Sequence, residues 1–534
     1  MLRKILGQYK YQNWLPVALP FLLFVLHSLL FRDWIIDDAG ISFAYARNLA
    51  HGNGLVSQPG MNPVEGFSNF TWVLILSPFF LLKVFNPILT PKIISLVLVL
   101  GSFITVQKIL ASMTKHFNLG TFVVLILLAL NSSFVIWTIS GLENPLYVFL
   151  ISLILWHIIK YSRGEINWVK SIITISILSA LCALTRPDGI IYAAIFPFFL
   201  LIDLIQGKNK PKEALKSLWI YIGTFLLVFG SYLVFRFFYF GDILPNTYYA
   251  KSSGLFLYPR IWMMALQGLL ISLGMSKYII IGIFALLIYL VIQRRITRPY
   301  FVLSITILVA LSIYFLLPPD WMGEFRFATP FFLLFYIFLF STSDMVYENT
   351  KLKKYTGPMI FLLIFLISSI STASFIARSC DFAKSPTVPF SEVAEYFGYR
   401  FNEYATAMGI ENGSILAPDL GGTLYYSHLK VYDLAGLTDK VIALNMGKNQ
   451  SVFYDYIFDE LKPTFIHTHG FWDRKSNFDA DPRFRENYIA IIETKDSGIP
   501  TDMGTTMFSG DYVRIDAVRD NDALLTIQSE LTKP

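Results

Sequence analysis

Apolar runs long enough to span hydrocarbon begin near residue 14 and recur until about residue 376, separated by short polar connections. Beyond Cys380 the pattern changes. There SILAPDLGGTLYY, KVYDLAG, TFIHTH, YIAIIET and YVRIDAV run or alternate as short strands do, while SEVAEYFGYRFNEYATAMG and SVFYDYIFDELK carry helical spacing. The pattern predicts an α-helical polytopic membrane region over residues 1–378, followed by an α/β domain over 379–534 large enough for its own core.

Loop charge gives the expected topology. Arg3, Lys4 and Lys10 precede the first span, and later basic clusters are Lys160/Arg163/Lys170, Lys208/Lys210/Lys212/Lys216, Arg294/Arg295/Arg298 and Lys351/Lys353/Lys354. Translocating such clusters is disfavoured, so all are placed on the cytoplasmic side. The remaining connections then share the outer face, provided that residues 68–105 cross once. The run NFTWVLILSPFFLLKVF is interrupted by Pro78 and followed by Pro87 and Pro91, which predicts a helix lying in the interface. Counting that run as a span would give about twelve; laying it in the interface leaves about eleven, with a cytoplasmic N-terminus and an extracytoplasmic α/β domain. Trp14 to Phe31 lacks a small-residue cleavage site and reads as a retained anchor.

Composition agrees. Of 534 residues, 55% are hydrophobic and only 15% charged, which excludes an ordinary soluble enzyme. From Cys380 onward 14 basic residues face 23 acidic ones, a net of −9, against 29 basic and 14 acidic before it. Two solvents, hence two domains, explain that split. The two cysteines, Cys182 and Cys380, supply neither a disulfide framework nor a metal cluster.

Candidate chemistry concentrates in the connections assigned to the outer face. Asp37 and Asp38 follow the first span, in a first loop of residues 33–67, and acids at that depth are costly unless solvated or used. A helix beginning at Ile41 and stopped by HGNG offers them a capping role instead. Arg186, Lys251 and Arg326 lie beside span ends, where a lipid phosphate would sit. Local pairing of Arg186 with Asp188, and snorkelling of Lys251 and Arg326, are the plainer readings. Glu65, Asn69, Glu143, Asp188, Asn246, Tyr248, Asp320 and Trp321 are candidate contacts to a hydroxyl-bearing ligand or loop-structuring groups. His428, His467 and His469 lack the further ligands of a zinc site.

The segments DDAGISFAYARNLAHGNGLV, PVEGFSNFTW, SGLENPLY, LTRPDG, FGDILPNTYYAK, DWMGEFRFATP and DLAGLTD, in that order, resemble the GT-C glycosyltransferases that include the cell-wall terminal β-1,2-arabinofuranosyltransferases. The resemblance implies transfer of a sugar from a polyprenyl-phosphate donor to a cell-envelope glycan or glycolipid at the outer face of the plasma (inner) membrane. It implies inversion, with an acid of the first loop as general base, Asp37 first and Asp38 as the fallback. Arg186, Lys251 and Arg326 would then stabilise the leaving phosphate. Adjacent acids can hold a divalent ion, but monophosphate donors of this kind generally need none, so no metal or cofactor is expected; nor is a nucleic-acid partner. A transporter or flippase, which predicts inverted repeats with broken helices, and a non-catalytic component of polysaccharide assembly are the competing classes. The C-terminal domain is expected to hold the acceptor glycan or to act as a lid.

Overall fold

The computed structural model describes residues 14–165, 167–208, 210–251, 259–274, 297–317, 320–349, 370–496 and 507–531. Arg3, Lys4, Lys10, Arg294, Arg295, Lys351, Lys353 and Lys354, which carry part of the topology argument, lie outside them. The chain divides into two compact units. A membrane unit comprises Met1–Asp33, Ile88–Tyr232 and Gly254–Thr387; a sheet unit comprises Trp34–Pro87, Leu233–Ser253 and Val388–Pro534. The sheet unit therefore recruits the first loop and the segment 233–253 in addition to the acidic tail.

Among the described residues six helices are long and apolar enough to cross a membrane: Leu89–Met113, Asn144–Ser162, Trp168–Thr185, Pro211–Phe240, Arg298–Leu316 and Arg326–Met345. Phe117–Leu130 and Ser132–Thr138 form a further pair bent by 74°. The bend has a local cause: the Asn131 side chain accepts the Phe134 N–H at 2.9 Å, ending one helix and capping the next. Arg326–Met345 is 89% enclosed by the chain and Pro211–Phe240 only 11%, so the first is a packed core helix and the second presents its apolar length outward. The first apolar run folds as Leu15–Ser28, extended by a turn to Phe31. Phe70–Leu81 has 12 residues, about 18 Å of helix and too short for hydrocarbon of about 30 Å.

In the sheet unit, β1 (Ser414–Ala417), β2 (Lys430–Asp433), β3 (Phe465–His469), β4 (Tyr488–Asp496) and β5 (Met507–Arg514) form one sheet of order β2-β1-β3-β5-β4. β2, β1 and β3 run parallel, and β5 joins β3 and β4 antiparallel. Leu416, Ile442, Phe453, Ile457, Ile466 and Tyr512 pack into its core. Where SILAPDLGGTLYY runs as a short strand does, the strand stops before Pro418 and Gly421–Tyr426 is helical, because Pro418 cannot donate to a central ladder. The helices predicted over 391–409 and 451–462 form as Phe390–Ala407 and Gln450–Leu461, each containing a π-helical stretch.

Close backbone approach organises this unit. A Cβ on Gly421 would lie 1.8 Å from the Asp37 carbonyl oxygen, and one on Gly40 would lie 2.5 Å from the Gly421 carbonyl carbon. Gly421→Ala should therefore lower the thermal unfolding midpoint of the purified chain by roughly 5 to 10 °C, the scale of overpacking by about 3 kcal/mol. Gly223→Ala, where a Cβ meets nothing within 4 Å, should leave it unchanged or slightly higher.

Candidate functional site

The sheet unit holds Asp37, Asp38, Glu65, Asn69, Asn246, Tyr248 and Lys251; the membrane unit holds Glu143, Arg186, Asp188, Asp320, Trp321 and Arg326.

Helix Asp38–Ala50 begins with both acids, yet Asp37 makes no side-chain cap to it. Its carboxylate instead accepts the N–H of Gly421 at 2.9 Å and that of Gly422 at 2.7 Å. At the far end, Arg47 donates to the carbonyls of Leu424 and Tyr425 at 3.0 and 2.9 Å and lies over the Tyr425 ring. One helix thus supplies an anion to the amino end and a cation to the carboxyl end of Gly421–Tyr426, matching its exposed backbone groups at both termini. Asp37 is 4% exposed. Burial, then the charge of Asp419, push its carboxyl well above the usual carboxylate range, and the glycine N–H groups oppose them.

Asp38 differs. Its side chain is 25% exposed and lies 3.8 Å from the Lys251 ammonium, itself 54% exposed. An acid and a cation reachable by solvent are thereby brought together by the start of one helix and the end of another, Asn246–Lys251.

The other first-loop candidates are engaged by the fold. Glu65 ion-pairs with Arg236 at 2.6 Å, with a second contact at 3.1 Å. Asn69 exchanges hydrogen bonds with Ser42. Asn246 donates to the carbonyls of Gly436 and Leu437 at 2.8 and 2.9 Å, and its N–H is taken by the Glu65 carbonyl. These bonds fasten segment 233–253 to the loop after β2. Tyr248 is exposed. At the end of β2 the buried Asp433 accepts the N–H groups of Gly436 and Thr438 at 3.0 and 2.6 Å and the Thr438 hydroxyl at 3.2 Å. Burial pushes its carboxyl up to about 7 despite the Thr438 bonds.

In the membrane unit, Arg186 pairs with Glu143 at 2.9 Å and Asp188 at 3.0 Å, and Tyr147 donates to Asp188 at 2.9 Å. One guanidinium between two carboxylates leaves a local charge of −1, an arrangement that holds Arg186 in place more than it attracts phosphate. Arg326 pairs with Asp320 at 2.8 Å. Arg186 and Arg326 both lie against the Phe327 ring, at 5.1 and 4.9 Å from its centre, so two of the candidate cations share one aromatic ring. Before Arg326 the backbone is left-handed at Gly323, Glu324 and Phe325, with φ of 74°, 46° and 55°. For the two non-glycine residues this costs roughly 1 kcal/mol or more each, and Trp137 steadies the turn by donating to the Glu324 carbonyl at 2.9 Å.

Arg326 and Asp320 also line a cavity of about 170 Å³ whose other walls include Ile261, Met264, Tyr314, Leu317 and Phe325. It is apolar with a charged pair in its wall. Trp321 is exposed. Arg378 is the residue the sequence reading missed. It pairs with Glu324, donates to Ser133 at 3.1 Å, and keeps a buried Nη1 without a hydrogen-bond partner among the described residues. Standing at the end of an apolar run without a surrounding motif, it gave no signal beyond its charge.

A family model described as a domain of unknown function (DUF8728) matches residues 393–515. No curated protein matches the chain. Among solved structures, the archaeal oligosaccharyltransferase AglB from Archaeoglobus fulgidus, in complex with an inhibitory peptide and a dolichol-phosphate, superposes with a TM-score of 0.57 at 10% identity over 86% of this chain and 69% of that one. The same organism's oligosaccharyltransferase in its apo form gives 0.57 at 12% identity, over 86% and 70%. ArnT from Cupriavidus metallidurans, bound to undecaprenyl phosphate, gives 0.56 at 10% identity, over 94% of this chain and 98% of that one. The chain therefore shares the fold of these proteins.

The raised Asp433 carboxyl predicts a pH effect. Its folded value of about 7 exceeds the ordinary 3.8, so the folded chain binds the extra proton between those limits and loses stability as pH rises through them. Asp433→Asn should flatten the fall in thermal midpoint between pH 4.5 and 7.5; an unchanged slope would show that the carboxylate is accommodated without cost.

Proposed function

We propose that the chain is an integral-membrane glycosyltransferase that moves a sugar from a polyprenyl-phosphate donor to a cell-envelope glycan or glycolipid at the outer face of the plasma membrane. The fold supports this class: one structure sharing it contains dolichol-phosphate and another undecaprenyl phosphate. The observation that carries the mechanism is the contrast between the neighbouring acids, one locked by two glycine N–H groups and the other open beside Lys251.

Asp38 rather than Asp37 is accordingly the general base. It takes the proton of the acceptor hydroxyl as that oxygen attacks the anomeric carbon, while the bond from that carbon to the phosphate oxygen breaks with inversion. The lipid leaves as a phosphate monoester carrying added negative charge, which preorganised cations stabilise. Lys251 orients Asp38. Asp37 is a positioning residue, fixing the start of the helix on which Asp38 stands.

Arg326 and Arg378 are the cations proposed for the lipid phosphate, and the apolar cavity beside Arg326 for the first isoprene units of the donor. Arg186, between Glu143 and Asp188, supports the same Phe327 ring. No metal or cofactor is invoked. The resemblance of the sequence motifs makes an arabinofuranosyl phospholipid the first donor to try.

Asp38→Asn should reduce transfer from a polyprenyl phosphosugar at least 100-fold, the usual worth of a general base, with undecaprenyl phosphate binding and thermal midpoint unchanged. Asp37→Asn should lower the midpoint as well as the rate. Full transfer by the Asp38 variant would remove the assignment. Arg326→Gln should weaken undecaprenyl phosphate binding about tenfold or more, as loss of a charge-assisted contact does.

A further inference from the structure

The sheet of the C-terminal tail contains a feature that the transferase chemistry does not use. β1 has β2 on one side and β3 on the other, all three parallel. The chain leaving β1 enters helix Gly421–Tyr426 toward β2, whereas the chain leaving β3 enters helix Gly470–Ser476 and goes on to β4 and β5. Carboxyl ends that diverge in this way create the crevice in which open α/β sheets bind ligands.

Two chemistry-bearing side chains stand there. Asp419, two residues beyond β1, meets His469, the last residue of β3, with Oδ2 and Nε2 2.7 Å apart. Both remain reachable, the histidine side chain 36% and the aspartate 21% exposed. A polar pair so exposed contributes little to stability whether or not the imidazole is charged, so folding alone gives no reason for it. Two residues on, after Gly470 turns through φ of 45°, the Phe471 ring is 52% exposed.

Behind His469, on the same face of β3, His467 lies with its ring 5.4 Å away. Its Nδ1 is bound to Asp511 at 2.6 Å, and Asp511 is held in turn by Arg400 at 2.7 Å. Its buried Nε2 has no hydrogen-bond partner among the described residues, an arrangement that natural folds tolerate where a water or ligand completes it. An acceptor carboxylate, imidazole nitrogens and an exposed aromatic face are the groups that recognise a polyhydroxylated ring: hydroxyls donate to the carboxylate and exchange hydrogen bonds with imidazole, and the ring's apolar face lies on the aromatic.

We propose that the carboxyl ends of β1 and β3 form a carbohydrate subsite, in which Asp419 and His469 hydrogen-bond to hydroxyl groups of the acceptor glycan and Phe471 supports its apolar face. The proposal rests on the transferase reading for the identity of the glycan as acceptor. The loop that carries Asp419 is the one whose glycines hold Asp37, so occupancy of the subsite bears directly on the segment that fixes the candidate acids.

The test uses the full chain, purified in detergent and immobilised, with glycan released by mild acid from envelopes of the native host as one probe and undecaprenyl phosphate as the other. Retention of the glycan should fall at least tenfold in His469→Gln, Asp419→Asn and Phe471→Ala, with undecaprenyl phosphate binding and thermal midpoint as in the parent chain. Because Phe471 is exposed, its variant stays interpretable if either polar variant is unstable. Retention unchanged in His469→Gln and Phe471→Ala, or no retention by the parent chain, would overturn the subsite. Retention that follows the variants in a chain that binds no undecaprenyl phosphate would uphold the subsite and remove the donor reading instead.

Discussion

A single buried carboxylate organises the sheet unit. Asp37 gives up its water to receive two backbone N–H groups from Gly421 and Gly422, and an isolated charge so enclosed would cost several kcal/mol. The N–H groups at the amino end of a helix oppose that cost, but burial and the neighbouring Asp419 outweigh them and hold the carboxyl well above the usual carboxylate range. The contact demands glycine, since a side chain at 421 would collide with the Asp37 backbone. The first loop and the tail, nearly 400 residues apart in sequence, are thereby tied by one side-chain carboxylate held on two backbone N–H groups.

This constraint separates the roles of two residues that sequence cannot distinguish. Asp37 is enclosed against Gly421 and Gly422, and Asp38, one position on, lies beside Lys251 with its side chain partly exposed. A helix advances about 100° per residue, so adjacent acids at its start face different surroundings. Holding one rigidly orients the other, which is the support a catalytic group needs from its neighbours.

The membrane unit stores its specificity differently. Three successive left-handed residues precede Arg326, and the acids and cations around that turn are paired: Arg326 with Asp320, Arg378 with Glu324, Arg186 with Glu143 and Asp188. Strained backbone persists where surrounding contacts over-determine it. Here a Trp137 hydrogen bond and the stacked Phe327 do so, beside an apolar cavity with one charged wall.

The sequence by itself determined what depends on composition and local periodicity. It gave a membrane region of apolar helices, tail strands near the observed places, a short interrupted helix at 70–81, and first-loop acids as objects of interest, but not the grouping of residues 34–87 and 233–253 with the tail. Those features follow from solvent preference and from propensities acting over a few residues. Tertiary structure decided the rest, because each decision joins distant positions. It ended β1 before Pro418 and made the two glycines of PDLGG into the binding site for a carboxylate. Glu65, Asn69 and Asn246, read as ligand contacts or loop-structuring groups, bond to Arg236, Ser42 and the carbonyls of Gly436 and Leu437, since a polar group in a loop looks the same whether its partner is a ligand or a carbonyl far along the chain. Arg378 and the Asp419–His469 pair gave no signal for the converse reason: their meaning lies in what the fold places beside them.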